Sequence, residues 1–495
     1  MRDLVARGAA EPRNNYFTTK NTKNACARSA RFSPGALRAL SGETPPRLCA
    51  SACRFFAAAL LLLAMPMTAR ALEVKTLPAP NGEEIWYVSD HTLPMIALSA
   101  ALPAGSAYDP PGKSGLANFA AELLDEGAGS MKAGAFQTAL GNRAIRLSVT
   151  TDRDYLIISL VTLADNAKDA FDLLGQALSH PRFDADAIAR VRAQIDADIA
   201  DQDQDPDDVA QKAFFRGWFH DGPYGHPIDG DAQSLAAIRA SDLKHFAATH
   251  WVAGGLTIAV AGDVDEGHLE ALVKSAFGEL RVTAPRGPVL VDHPGGPHLA
   301  VTDMPVPQSD VVFGLPGLLR RDPDYLPAYV ANYILGGGGF ASRLTDELRE
   351  KRGLTYDVST SLESLQRAGL VLGEMATKRS STKETIAAMR ETLRDFAQNG
   401  PTDAELADAK TYLTGSWPLA FSSNVGIVDQ LGEFQRLGLP VDYIRNRNAL
   451  INAVTLDQVK RAARRLFNPA KLSVEVAGGM DESHNGKPAA GTLDP

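Results

Sequence analysis

Two side chains that can donate hydrogen bonds stand close together in the second half of the chain. Arg349 and Tyr356 are seven residues apart in the segment 336–356, GGGGFASRLTDELREKRGLTY. A guanidinium and a phenol hydroxyl can both donate to an oxygen that carries negative charge. The segment opens on four glycines but has no Gly-Lys-Ser/Thr after them, which argues against a phosphate-binding loop. We expect these glycines to serve close packing or loop mobility.

A short helix followed by a strand must position this pair. Ser342 can cap the helix and Gly353 can end it. Arg349 then lies on the last helical turn, and Tyr356 lies at the start of the strand. The structural alternative is that Arg349 pairs with Asp346 on the helix surface and that Tyr356 is a half-buried strand aromatic.

The histidines do not form an evident metal site. His220 and His226 are six residues apart in a turn rich in Gly and Pro, and no acidic ligand stands at helical spacing from them. His245 and His250 are five apart, which does not place them on one helix face. Zinc needs three or four convergent ligands, and all three cysteines lie at or before residue 53. Loop and packing roles are therefore favoured for these histidines.

The chain repeats itself, which indicates the architecture. Residues 242–263 align without a gap with residues 458–479, and both copies predict an amphipathic helix, a turn and a strand that stops at glycine. The starts of the halves also correspond, with Asn118 matching Asn332. We predict an α+β protein of two homologous α/β domains, each a mostly antiparallel sheet with helices packed on one face. Chance similarity between two ordinary domains is the alternative.

The predicted organisation has five parts. An export segment covers residues 1–71, and we expect its N-terminus to be over-long for a signal peptide. The N-terminal domain covers 72–285, a linker rich in Pro and Gly covers 286–300, and the C-terminal domain covers 301–480. Residues 481–495 form a polar tail that we predict to be disordered.

The N-terminal segment predicts export. Residues 55–67 form an apolar run that is too short for a stable membrane span and is followed by a small-residue cleavage site ending at Ala71. A buried helix is the alternative. Removal of residues 1–71 takes away 11 of 50 basic and 3 of 59 acidic residues, which leaves a net charge of −17. Such an acidic body argues against a nucleic-acid partner.

Several of these features together resemble the pitrilysin/insulinase family of inverted zinc peptidases. They are the frame around Asn118, the repeated halves, YGHPIDG at 224–230 and SRLTDELREKRGLTY at 342–356. The resemblance covers nearly all of residues 72–480. Members of the family carry His-x-x-Glu-His on a first-half helix, where the histidines bind zinc, the glutamate activates water and a later glutamate completes the site.

The resemblance implies that this chain has lost the metal motif. The two histidine positions are Asn118 and Glu122, the catalytic glutamate position is Ala121, and the distal glutamate position is Asp198. No imidazole and no base remain, and the Ala121 methyl group cannot take a proton from water. Oxygen ligands from Asn118, Glu122 and Asp198 would suit Ca²⁺ or Mg²⁺ better than zinc. We favour solvated or hydrogen-bonded remnants and expect no metal on this chain.

The resemblance also implies a function shared with a partner. In the family, an arginine and a tyrosine at this spacing contact the substrate, which gives Arg349 and Tyr356 the role of stabilising the attacked carbonyl. Half-length members dimerise, and some dimers pair a zinc subunit with one that lacks the motif. We therefore expect a non-catalytic, peptide-binding subunit in the periplasm of a Gram-negative bacterium. Its partner would be a homologous subunit that carries zinc on an intact His-x-x-Glu-His.

Two other function classes remain open. An inert assembly scaffold with the peptidase fold would tolerate Arg349→Ala. An independent hydrolase would need a Ser/His/Asp or Cys/His set, which the spacing does not suggest.

Overall fold

The computed structural model describes residues 72–220, 222–284 and 296–480. The predicted export segment, the predicted tail and residues 286–295 of the predicted linker lie outside the described residues. No helix within these described ranges combines the length and apolar character needed to cross a membrane.

The first half forms a six-stranded sheet and a small hairpin. Its strands are β1 (Lys75–Pro78), β2 (Glu84–Ser89), β3 (Met95–Leu102), β4 (Gly127–Ala128), β5 (Met131–Lys132), β6 (Arg146–Thr151), β7 (Leu156–Leu163) and β8 (Thr257–Gly262). The sheet order is β1-β2-β8-β3-β7-β6, and β4 pairs with β5. Only the pair β2 and β8 is parallel within this sheet.

The second half forms a five-stranded sheet. Its strands are β9 (Leu299–Asp303), β10 (Gln308–Pro316), β11 (Thr355–Ser364), β12 (Gly369–Lys378) and β13 (Ser473–Gly478). The sheet order is β11-β12-β10-β13-β9, with β13 and β9 parallel. Both sheets are therefore mostly antiparallel, as predicted.

The helices lie between these strands along the chain, several of them in succession. They are α1 (Leu116–Glu122), α2 (Ala133–Gly141), α3 (Ala167–Ser179), α4 (Ala185–Gln202), α5 (Pro206–Phe219), α6 (Ala232–Ala237), α7 (Ala240–His250), α8 (Glu266–Phe277), α9 (Tyr325–Asn332), α10 (Thr382–Asn399), α11 (Asp403–Gly415), α12 (Asn424–Arg436), α13 (Tyr443–Ala453) and α14 (Leu456–Leu466). Two π-helical segments, Tyr333–Gly337 and Thr345–Lys351, lie between α9 and β11.

The internal duplication is present in the structure. Helix α14 and strand β13 begin and end 216 residues after α7 and β8, so the aligned segments form the same elements. Both strands stop at a glycine with positive φ, 139° at Gly262 and 123° at Gly478. The order β2-β8-β3-β7-β6 in the first sheet also matches β9-β13-β10-β12-β11 in the second.

Each half packs most of its own helices on one face of its sheet. The first core joins alternate residues of β3 and β7 to apolar residues of the first-half helices, and the second core joins β10 and β12 to α9, α10 and α14. Alternate residues of a strand point to opposite faces of the sheet, so the apolar residues of one face can pack on these helices, as predicted.

A helix from the opposite half covers the other face of each sheet. Phe214 and Trp218 of α5 pack on Val312, Leu370 and Leu372 of the second sheet. Helix α12 of the second half packs on the first sheet. Its residues Val428, Leu431 and Phe434 form a cluster with Trp86, Val88 and Ala259 of that sheet. The apolar pattern of a helix predicts that one face is buried but does not identify the sheet that buries it.

Candidate functional site

Helix α1 carries the positions that the sequence assigned to a lost metal motif. The helix follows Gly115, whose φ of 89° lies in the left-handed region, and a Cβ there would lie 2.5 Å from the backbone oxygen of Asp229. The Asp109 carboxylate accepts hydrogen bonds of 2.8 Å from the amides of Gly115 and Ala117. These bonds satisfy amide groups that a helix start leaves without partners. Sequence reasoning missed Asp109, because it lies several residues before the helix that it caps.

The Asp109 carboxyl is held in a buried setting. Its side chain is 1% exposed, and its Oδ2 lies 4.0 Å from Nδ1 of His226 in the turn that follows α5. Burial raises the pKa of Asp109 well above its ordinary value, against the opposing effect of the backbone amides. Burial also lowers the pKa of His226. Both groups are therefore shifted toward their neutral forms.

The motif positions on α1 do not form a metal centre. Ala121 is buried at 3% exposure, whereas Asn118 and Glu122 are half-buried. Asp198 on α4 is exposed and accepts a hydrogen bond of 2.8 Å from Gln194, one turn earlier on the same helix.

The buried face of α4 instead carries Ile195 and Ile199. No group of three or more His, Cys, Asp or Glu side chains that could hold a metal ion occurs among residues 72–220, 222–284 and 296–480. These residues do not fit a zinc ion.

The elements around Arg349 and Tyr356 follow the sequence prediction. The Ser342 hydroxyl donates to Oγ1 of Thr345 at 3.0 Å and accepts from the Thr345 amide at 3.4 Å, at the start of the segment. Arg349 lies in the π-helical segment, and Gly353 follows it with a φ of 62°. Tyr356 is the second residue of β11.

The structure brings Arg349 and Tyr356 into contact. The guanidinium carbon of Arg349 lies 4.9 Å from the centre of the Tyr356 ring and 4.6 Å from that of Phe340. Tyr356 is 67% exposed and Phe340 is 69% exposed. We call these three side chains the Arg349 stack. Sequence reasoning missed Phe340, for which the only signal is its place directly after the four glycines.

The structural alternative for Arg349 holds only in part. Its guanidinium forms an ion pair with Glu350, at 3.5 Å, and not with Asp346, whose carboxylate lies 2.9 Å from Nζ of Lys351. Tyr356 is mostly exposed rather than half-buried. It lies at a register shift between β11 and β12, where the extra residue redirects the side chain.

Comparisons with known proteins agree with this architecture. Residues 85–232 match the family profile "Insulinase (Peptidase family M16)", and residues 237–413 match the profile "Peptidase M16 inactive domain". The crystal structure of a peptidase M16 inactive domain from Pseudomonas fluorescens is 30% identical with a TM-score of 0.78, over 83% of this chain and 99% of that one. The chain belongs to the M16 (insulinase) family.

Curated M16 relatives carry contrasting names. The non-peptidase homolog YmxG of Helicobacter pylori is 26% identical over 84% of this chain and 94% of its own length. An uncharacterized zinc protease of Mycobacterium leprae is 27% identical over 81% of this chain and 91% of its own. Together with Asn118, Ala121 and Glu122 at the motif positions, these similarities support a catalytically inert protein with the M16 fold.

A buried carboxylate joins the two halves of the M16 fold. The Tyr224 hydroxyl donates to Oδ1 of Asp154 at 2.6 Å, and the amide of Gln366 from the second half donates to Oδ2 at 2.9 Å. Burial raises the pKa of Asp154 and of Tyr224. Tyr224 belongs to the YGHPIDG segment, so this part of the motif positions the halves.

Carboxylates line the face of the second sheet that α5 covers. Glu374 of β12 pairs with Ser359 of β11, so alternation places Glu374, Asp357 and Glu363 on one face with Leu372. Burial, reinforced by Asp207, Glu363 and Asp357, raises the pKa of Glu374 to about 7. Its Oε1 accepts a hydrogen bond of 3.1 Å from Gln211 of α5. This face is therefore acidic near the edge strand that carries Tyr356.

Proposed function

We propose that this chain is the non-catalytic, substrate-binding subunit of a heterodimeric zinc peptidase. The observation that carries the proposal is the contrast between two sites. The metal-motif positions hold no imidazole and no base. In contrast, Arg349 and Tyr356 are in contact with each other, and the side chains of Tyr356 and Phe340 are largely exposed. A chain that kept only a fold would not need two exposed aromatic rings around a guanidinium.

In this proposal the Arg349 stack contacts the peptide that the partner cleaves. The guanidinium and the phenol hydroxyl donate hydrogen bonds to the carbonyl oxygen on which negative charge develops. The rings of Phe340 and Tyr356 restrict the motion of the Arg349 guanidinium, so less entropy is lost when it binds an oxygen. Zinc is held by a homologous subunit with an intact His-x-x-Glu-His.

An extended peptide is bound in this proposal by addition to a sheet edge. Strands β6 and β11 are the ends of the sheets that contain them, and each pairs with a single described strand. Such edges offer backbone amide and carbonyl groups to a further strand. Tyr356 lies on β11, so a peptide at that edge passes beside the Arg349 stack.

Reconstitution with the partner tests this function. The mature chain is combined with a homologous subunit that carries the intact motif, and peptide cleavage is measured for each chain and for the purified complex. We expect cleavage by the complex that neither chain gives alone. A partner that is fully active by itself, and is unchanged when this chain is added, would contradict the proposal.

A scaffold role is the second candidate, and the name of the Helicobacter pylori relative, a non-peptidase homolog, favours it. The two candidates differ in how they respond to Arg349→Ala in the complex. A substrate-binding subunit loses activity with this variant but keeps it with Arg445→Ala, an arginine on the exposed face of α13. A scaffold retains activity with both variants.

The periplasm is the proposed location of the complex. The apolar run at residues 55–67 with cleavage after Ala71 supports this location. Sequencing of the mature N-terminus from a periplasmic extract should begin at Leu72. A product that retains Cys26, Cys49 and Cys53 would contradict export.

A further inference from the structure

Helices α10 and α14 of the second half enclose a surface concavity with a volume of about 800 Å³. Three arginines line it, Arg390 and Arg394 from α10 and Arg464 from α14. Arg390 and Arg394 are four residues apart, so they lie on the same face of α10. Beside them lie Gln398 and Asn468, which carry amide groups.

A rigid contact holds the two helices beside this concavity. The rings of Phe396 and Phe467 meet edge to face with their centres 5.6 Å apart, and both side chains are fully buried. The arginines therefore extend from fixed backbone positions, although their own side chains are half-buried or exposed. Ligand binding would therefore have to order only the arginine side chains and not the backbone that carries them.

The carboxylates next to these arginines are paired elsewhere. Glu391 binds Arg352 at 3.0 Å, and Asp395 lies 3.3 Å from Arg343. Arg465, the neighbour of Arg464, binds Asp322 and Asp324, each at 2.8 Å. Arg390, Arg394 and Arg464 form no ion pair within 4.0 Å among the described residues. Three uncompensated guanidinium groups thus converge in a chain whose body carries a net charge of −17.

We propose that this concavity binds a small phosphate-bearing ligand. The planar fork of a guanidinium matches the oxygens of a phosphoryl group in a bidentate manner, and three such forks around one hollow suit a diphosphate or a phosphomonoester. Asn468 uses Oδ1 to accept from the amide of Ala470 at 3.0 Å, which leaves its side-chain amide as a donor. Ala397 and Pro469 line the remaining wall and suit an apolar part of the ligand.

A long polyphosphate does not fit the charge of the chain. The acidic body repels an extended phosphate backbone, so the attraction is confined to the arginine concavity. The phosphoryl group can belong to a soluble metabolite or to a lipid headgroup. Both sources offer the same chemistry to the three arginines, and the experiment separates them.

Calorimetry of the mature chain with pyrophosphate tests the site, with sodium chloride added to equal ionic strength in the reference. We expect saturable binding with one pyrophosphate per chain. The double variant Arg390→Ala/Arg394→Ala should weaken it by about ten-fold or more, because each charge-assisted hydrogen bond is lost. Arg464→Ala should weaken it as well, whereas Arg445→Ala, which removes the same charge elsewhere, should leave it unchanged.

Vesicles identify the source of the phosphoryl group. If wild-type protein sediments with phosphatidic acid vesicles but not with phosphatidylcholine vesicles, and pyrophosphate releases it, the ligand is a lipid headgroup. If pyrophosphate binds and neither vesicle does, the ligand is soluble. The absence of saturable pyrophosphate binding, or binding that survives the double variant, would overturn the proposal. Circular dichroism of each variant checks that the fold is retained.

Discussion

The guanidinium of Arg349 lies 4.9 Å from the ring of Tyr356, although the two residues belong to a helical segment and to an edge strand. The centre of the Phe340 ring lies 4.6 Å from the same guanidinium carbon. The stack therefore presents a cation and a phenol hydroxyl from one exposed site. It stands in contrast to α1, where the buried methyl group of Ala121 occupies the position of a catalytic base.

The chain alone should not retain zinc. Asn118 and Glu122 provide no imidazole, and Asp198 is exposed on α4 with Gln194 as its hydrogen-bond partner. Elemental analysis of the purified mature chain should give substoichiometric zinc. One tightly held zinc ion per chain, together with proteolysis that a chelator stops, would show that this chain has a functional zinc site.

Restoring the motif should restore only part of the metal affinity. The triple variant Asn118→His, Ala121→Glu and Glu122→His supplies two imidazoles four residues apart on α1. Asp198 is exposed on α4 with Gln194 as its hydrogen-bond partner, and the residues around the motif positions are not tuned for zinc. Zinc titration should therefore show weak binding. Tight, stoichiometric zinc binding by the triple variant would contradict this expectation.

Asp109 should contribute to the stability of the first half. Asp109→Ala leaves the amides of Gly115 and Ala117 without their acceptor, which should cost about 1 to 3 kcal/mol in the free energy of unfolding. Urea denaturation measures this change. Asp165→Ala, at an exposed position, is the matched control and should change stability by less than about 0.5 kcal/mol. Equal effects of the two variants would contradict the capping role.

Glu374 should make stability fall as the pH rises. Its pKa in the folded chain is raised from 4.5 to about 7, so the folded state keeps a proton that the unfolded state has released. The contribution of Glu374 is most favourable below pH 4.5 and is lost as the pH rises to about 7. Glu374→Gln can still accept the hydrogen bond from Gln211 and should stabilise the chain at pH 8, by about 1 to 3 kcal/mol.

Denaturation at a series of pH values compares Glu374→Gln with the wild type. The difference between the two proteins should grow between pH 4.5 and pH 7 and then level off. Glu384→Gln, on the exposed face of α10, serves as the control. A difference that stays constant with pH would show that Glu374 is not the titrating group.

The two halves should unfold together, because α5 of the first half packs on the second sheet and α12 of the second half packs on the first. Phe214 of α5 is fully buried against the second sheet, so Phe214→Ala should cost about 3 to 5 kcal/mol. The loss should appear in a single transition that fluorescence and circular dichroism both follow. Two separate transitions, with only one of them shifted, would show that the halves are independent domains.

The duplicated elements were predictable because their signals are local. The pattern from 242 to 263 contains an amphipathic helix, a turn and a strand that ends at glycine, and these signals recur at 458–479. The packing of α5 and α12 on the sheet of the opposite half was not predictable. The apolar stripe of a helix does not identify the sheet on which the helix packs. The seven-residue spacing indicated that Arg349 and Tyr356 lie close together. The exposure of Phe340 was not predictable, because it depends on the conformation of the chain after the glycines.

Asp198 is exposed on α4 and accepts a hydrogen bond from Gln194, which agrees with the interpretation of this position as a solvated remnant. Ile195 and Ile199 of the same helix face the core instead. The family resemblance, and not a local signal, assigned Asp198 to the distal glutamate position. The loss of the imidazoles and the base does not depend on this assignment.

The turnover of the reconstituted complex with Tyr356→Phe is the most direct measure of whether the Arg349 stack takes part in the reaction. This change removes only the hydroxyl, and Tyr412→Phe, at a second exposed tyrosine on α11, is its matched control. We expect that Tyr356→Phe lowers kcat by about 100-fold or more while the complex still forms, and that Tyr412→Phe leaves kcat unchanged. Equal kcat values for wild type, Tyr356→Phe and Tyr412→Phe in a verified complex would contradict a role of the Arg349 stack in the reaction.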